Sequence, residues 1–253
     1  MKRARLTLVV CLLIIACDQI AAQTNENEKA AIAANERGAA LIRGQRYAEA
    51  VEAFELATKL NPKLAPAYNN LGATYNSLGR YEKAIPAIRR ALELAPNYAE
   101  AHYDLGFALQ DLGKYAEAIK AYQHAIHFKP DFAEAYSRLG SVYQDQGRRE
   151  NAIRYYEQAL KIDPNYAEAY NNLGTAQAET GHFKNAFANF ERAVSLKPEL
   201  ALARFNLAMV SWRMKKRDVA LSQYQSLVVI EPILAAKLFS DLYRDKVLTL
   251  RAR

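Results

Sequence analysis

An all-α array of stacked helical hairpins is the fold class this 253-residue sequence predicts. Three observations predict it. Pro62, Pro96, Pro130, Pro164, Pro198 and Pro232 stand 34 residues apart without a slip. Gly38, Gly72, Gly106, Gly140 and Gly174 keep the same period, with Ala208 in the sixth place. Ala50, Ala84, Ala118, Ala152, Ala186 and Ala220 form an unbroken column beside them. A fixed period of this length marks copies of one supersecondary unit that bury their apolar faces on one another.

The chain opens differently. Lys2, Arg3 and Arg5 precede an uncharged run from Leu6 to Cys17, which has the form of an export signal. Its twelve residues fall short of the roughly 20 that span a bilayer. Leu13-Ile14-Ile15-Ala16-Cys17 resembles the lipobox of bacterial lipoproteins, which implies a signal over 1–16 and an acylated Cys17. Ile20-Ala21-Ala22 offers an ordinary cleavage site and a signal over 1–22, and an uncleaved anchor is the third reading. Only Cys11 and Cys17 exist, so a processed chain has no disulfide. Residues 17–30 are polar and lack apolar period, as a flexible tether does.

From residue 31 the period takes over, in units 31–64, 65–98, 99–132, 133–166, 167–200 and 201–234. In 65–98, Tyr68, Leu71, Gly72 and Tyr75, then Ala84, Ile88, Ala91 and Leu94, fall at helical spacing in two runs. Gly79 lies between them, where a left-handed residue ends the first helix. Gly72 and Ala84 are small where the two axes cross, and Pro96 stops the second helix. Asn97 with Glu100, Asp131 with Glu134 and Asn165 with Glu168 are spaced as capping boxes for the next helix.

A large or aromatic residue, Leu-Gly, Tyr, Gly, Ala, an aromatic, Ala and Pro over 34 residues resemble the tetratricopeptide repeat, across about 31–234. The resemblance implies a right-handed solenoid of six repeats. The end units depart from the pattern, as terminal repeats do. The first has Ala34 and Arg37 for Tyr68 and Leu71; the sixth has Arg204, Ala208, Lys215 and Leu227 for an aromatic, Gly, Gly and Ala. Beyond Pro232, Leu238, Phe239, Leu242, Tyr243 and Val247 predict a capping helix within 235–253.

The formal net charge of +7 is concentrated at the two ends. From Glu199 onward there are ten Lys and Arg against five Asp and Glu, a helix-end pattern that points to no nucleic-acid partner in an exported protein. No enzyme is expected. His102 stands in the tyrosine column of Tyr68, Tyr136 and Tyr170; His124 and His127 lie at i, i+3 without a third ligand near in sequence; His182 follows the turn at Gly181. Gly106 to Gly113-Lys114 has the wrong spacing for a phosphate loop, and no strand precedes Gly140-Ser141. No cofactor or metal is expected.

Binding on a solenoid surface is what the resemblance implies, with the first helices lining a concave groove for a partner peptide. By register, the groove columns hold Asn69, Tyr103, Asn171 and Phe205, with Asn70, Asp104, Arg138, Asn172 and Asn206 beside them. Phe107, Asn76, Gln110, Gln144 and Trp212 follow along the same helices. Amides present donor and acceptor together and suit a peptide backbone, and Asn70, Asn172 and Asn206 resemble the asparagine ladder of O-GlcNAc transferase. Glu100, Glu134 and Glu168 with Asp104, Asp111, Asp145 and Glu179 favour a neutral or basic segment. Phe205, Met209 and Trp212 have two readings, anchors for a partner or contacts to the capping helix through Leu238 and Leu242. The expected function is a lipid-anchored envelope adaptor; an oligomeric assembly component acting through repeat edges, or an accessory module of an enzyme complex, are the alternatives.

Overall fold

The computed structural model describes the backbone of residues 2–251 and the side chains of residues 23–242. Among the described residues every regular element is an α-helix. The chain forms two compact units, 1–128 and 129–253. The first holds α1 (Lys2–Arg43), α2 (Tyr47–Leu60), α3 (Ala65–Ser77), α4 (Tyr81–Leu94), α5 (Ala99–Asp111) and α6 (Tyr115–Phe128). The second holds α7 (Ala133–Asp145), α8 (Arg149–Ile162), α9 (Ala167–Glu179), α10 (Phe183–Leu196), α11 (Ala201–Arg213), α12 (Arg217–Ile230) and α13 (Pro232–Arg251).

Successive helices pair as hairpins, α1 with α2, α3 with α4 and α5 with α6 in the first unit. Between these hairpins α2 packs on α3 and α4 on α5, and the first helices α1, α3 and α5 touch in turn. The second unit repeats this from α7 to α12, and α13 closes it against α11 and α12. The seams are built from the periodic columns: Ala84, Ile88 and Ala91 are fully buried in one core, and Ala186, Phe190, Leu207 and Val210 are buried in another.

Two glycine roles explain the hairpin. A Cβ at Gly72 would stand 2.3 Å from Ile88 Cγ1, so only a bare backbone admits the second helix. Gly79 turns the chain at φ +68°, a conformation that costs an L-residue steric strain. In the end repeats Gln45 (φ +58°) and Lys215 (φ +63°) take this left-handed place. Gly44 is therefore the neighbour of the turn residue.

Three expectations are corrected. Residues 17–30 are helical, continuous with α1; no Pro or Gly interrupts 1–37. The Cys17 side chain lies outside the described residues. The capping boxes do not form: the N-caps are Tyr98, Phe132 and Tyr166, none with a side-chain cap bond. Those helices begin one residue late, which moves Asn97, Asp131 and Asn165 out of the capping place. At two of the inter-repeat turns the residue before proline holds the chain, Asn61 Oδ1 accepting from Lys63 N–H and Asp163 Oδ1 from Asn165 N–H, both at 2.9 Å. The capping helix starts at Pro232 itself, because the first helical position has no use for the missing N–H. Among the described residues no helix is long and apolar enough to cross a membrane.

Candidate functional site

The first-helix amides are spent largely on the fold. Asn69 is 4 % exposed, and its Nδ2 donates to Asp104 Oδ2 at 3.0 Å. Asn70 Nδ2 donates to Asn35 Oδ1, and Asn206 Nδ2 to Asn171 Oδ1, each at 2.9 Å. All three pairs are 35 residues apart, one repeat plus one position, and stitch consecutive first helices together. Asn76 is buried as well and donates to the Asp104 carbonyl at 2.9 Å. Asn69, Asn76 and Asn171 are thus corrected from groove residues to buried inter-helix ties.

Gln110 and Gln144 have a similar explanation. Gln110 Oε1 accepts from Tyr122 O–H at 3.1 Å and Gln144 Oε1 from Tyr156 O–H at 2.9 Å. A glutamine stands where its own hairpin buries a tyrosine; Ala178 and Asn76 stand where the core residue is Phe190 or Ile88.

The expected acidity is also tempered. Burial pushes the Asp104 carboxyl up to about 7, against the bond from Asn69 that favours its charged form. Glu179 accepts from Arg149 Nε at 2.8 Å, and Glu168 from Lys197 Nζ at 2.7 Å. Arg138 and Asn172 are half-buried, Asn172 accepting from Asn171 at 3.3 Å. Tyr103 leans on Tyr122 at 5.8 Å between ring centroids, and Phe107 meets Tyr81 edge-on at 6.2 Å.

Among the described residues a recess opens beside the first helices of each unit. In the first unit Asn70, Ala73, Thr74 and Ser77 of α3 face Ala39, Ile42 and Phe54 around about 200 Å³. In the second, about 420 Å³ lies between α9, α11 and α13, lined by Thr175, Glu179, Phe183, Asn206, Met209, Trp212, Arg213, Asp241 and Leu242 among others. Asn206 and Trp212 were legible as groove residues; Phe183 and Asp241 were not, because a turn and the capping helix bring them in. Phe205, Met209 and Trp212 pack against the core of Ala208, Leu227, Leu238 and Leu242, so the capping helix does contact this patch. Arg213 lies over the Phe183 ring at 4.3 Å and Arg217 over Trp212 at 3.3 Å.

His102 and His124 form a ring stack with Phe128. His102 lies 5.1 Å from His124 and 5.5 Å from Phe128, which His127 meets edge-on at 5.0 Å. Folding therefore brings His102 to His124, but as stacked rings rather than as converging ligands. Burial lowers the His102 pKa, and its Nε2 is 2.8 Å from the Pro96 carbonyl. Among the described residues no three His, Cys, Asp or Glu side chains converge to hold a metal ion.

Comparison with known proteins agrees with the repeat architecture. Family profiles described as tetratricopeptide repeat match residues 131–199, 65–98 and 87–120, and one described as TPR repeat matches 38–79 and 109–147. Among solved structures, MamA is 30 % identical at a TM-score of 0.56, covering 65 % of this chain and 96 % of its own. PilF of Pseudomonas aeruginosa aligns at a TM-score of 0.74 with 17 % identity, over 85 % of this chain and 99 % of its own. YrrB, a TPR protein with an unusual peptide-binding site, aligns at 0.55 with 25 % identity, over 74 % and 97 %. No curated protein sequence matches the chain significantly.

Proposed function

Because the chain belongs to the tetratricopeptide repeat family, we propose that it is a non-catalytic adaptor holding a partner peptide segment. The recess between α9, α11 and α13 carries this reading. Its apolar floor of Phe190, Met209, Val210 and Leu242 takes a side chain, while Asn206 and Thr175 offer polar groups at its edge. Asn206 spends its amide hydrogens on Asn171 and Thr175, and its Oδ1 is left over for a backbone N–H. With Glu179 held by Arg149, Asp241 stands against Arg213 among the lining charges, which supports a neutral or basic segment over an acidic one. The likeness to YrrB, which has a peptide-binding site of its own, makes a peptide ligand the natural first probe.

The N-terminal Lys2, Arg3 and Arg5, the uncharged run and Cys17 support an exported, lipid-anchored adaptor of the cell envelope. Peptides selected from a random library on the full chain test the binding. They are expected to be neutral or basic, and Met209→Asp is expected to abolish their capture. Acidic selected peptides, or capture indifferent to Met209→Asp, would defeat the reading. Growth with labelled palmitate decides the anchor: label is expected in the wild type and absent from Cys17→Ser.

A further inference from the structure

The helices α2, α4, α8 and α10 each carry the first helix of the next repeat along one side. Val51 on α2, packed against Leu71 and Tyr75, and Phe187 on α10, packed against Leu207 and Val210, are each 8 % exposed as a result. Leu221 holds the same position on α12 and is 56 % exposed. Val228 corresponds to the half-buried Leu92 and Val194 and is 46 % exposed. The capping helix takes that place, but it sets Asp241 where the first helix of the sixth repeat sets Leu207. It buries Leu227 with Leu238 and Leu242, and leaves a recess of about 100 Å³ lined by Trp212, Arg217, Leu221, Tyr224 and Phe239. Tyr224 and Phe239 meet at 6.0 Å across it, and Phe239 is itself exposed.

The rim at the α11–α12 turn is basic, with Arg213, Lys215, Lys216 and Arg217 beside the single acid Asp218. Arg217 lies over the Trp212 ring at 3.3 Å, which orders its guanidinium without neutralising it. Among the described residues no ion pair engages Arg217.

We propose that this uncovered side of α12 docks an acidic amphipathic helix of a partner protein, its apolar stripe on Leu221, Val228 and Phe239 and its carboxylates on Arg217. The spacing argues for a helix, since Leu221 and Val228 stand seven residues apart, two turns along one exposed face of α12. The rim charge argues for acidic residues. The concavity over Trp212 argues for a side chain inserted from a protein rather than for a lipid surface. The site is separate from the concave recess, which lies on the α9 side of Trp212 and is edged by acids.

Two helical peptides of about twenty residues, each with leucines at i, i+4 and i+7 and otherwise rich in Glu or in Lys, serve as probes with the full chain. Trp212, the only tryptophan, reports binding by its emission. The Glu peptide is expected to saturate and the Lys peptide to give no change. Arg217→Glu is expected to weaken the Glu peptide by roughly tenfold or more, Leu221→Asp to abolish it, and Thr175→Asp, in the concave recess and away from the α13 core, to leave it unchanged. Residues 217 and 221 are exposed, so unchanged melting curves confirm that both variants fold. Equal binding of the Lys peptide, or loss through Thr175→Asp in place of Leu221→Asp, overturns the proposal. Anionic vesicles bound with the same dependence on Arg217 and Leu221 would assign the face to lipid, and a dimer of the free chain broken by Leu221→Asp would assign it to a second copy; either result also overturns it.

Discussion

Asn69 donates its side-chain amide to the carboxylate of Asp104 across 3.0 Å, from the first helix of one repeat to the first helix of the next. Burial raises the Asp104 pKa to about 7, from an ordinary value near 4. The folded state therefore binds the proton more tightly than the unfolded one. The associated stability is complete below about pH 4 and is lost as pH rises to about 7. Asp104→Asn keeps an amide-to-carbonyl bond and removes the buried charge. We expect it to raise the urea midpoint at pH 8 and to change it little at pH 4, measured against wild type across that range.

The left-handed residues of the end repeats invite substitution. Gln45 and Lys215 hold positive φ where the inner repeats use glycine. Gln45→Gly and Lys215→Gly should each stabilise the fold by about 1 kcal/mol, the strain relieved exceeding the entropy that glycine adds to the unfolded chain. Thermal unfolding of the two single variants checks this, and a lowered melting temperature in both would refute it.

At the helix crossings the opposite change should be costly. A Cβ at position 106 would stand 2.7 Å from Tyr122 Cε1, and that ring is fully buried. Gly106→Ala is expected to destabilise by about 1–3 kcal/mol through overpacking. The sixth repeat already carries Ala208 at this place, and there the facing Tyr224 is only half-buried. Ala208→Gly should accordingly be far milder in the same denaturation assay.

Pro86 sits inside α4 on its exposed face. It removes one helical hydrogen bond and crowds the preceding turn. Pro86→Ala is expected to stabilise by up to about 3 kcal/mol, and hydrogen exchange should slow at the amides of α4. Unchanged exchange and an unchanged melting temperature would refute it.

The helix pairs were legible because their markers are backbone requirements. Gly72 must be bare beneath Ile88, Gly79 must turn with positive φ, and a proline must end each second helix before the sixth. The candidate site was legible only in part. An asparagine column says that amides face the next helix or a ligand, and nothing in one column says which. The pairing was present in the sequence as a second spacing: Asn35 and Asn70, Asn69 and Asp104, and Asn171 and Asn206 all lie 35 apart. The capping boxes failed on a one-residue shift of the helix start, which spacing does not resolve. Asp241 was hidden because α13 buries Leu238 and Leu242 in a register that the 34-residue period does not supply, and Phe183 because it opens α10 just past the turn.

The amide ties make side-chain length a ruler for the stack. An asparagine reaching one helix over meters the gap between consecutive inner helices, so exchanging Asn70 or Asn206 for glutamine would alter the pitch at that joint by about one methylene. Ligand selectivity in such an array would then be tunable from residues that never touch the ligand, by widening or narrowing the trough between its walls.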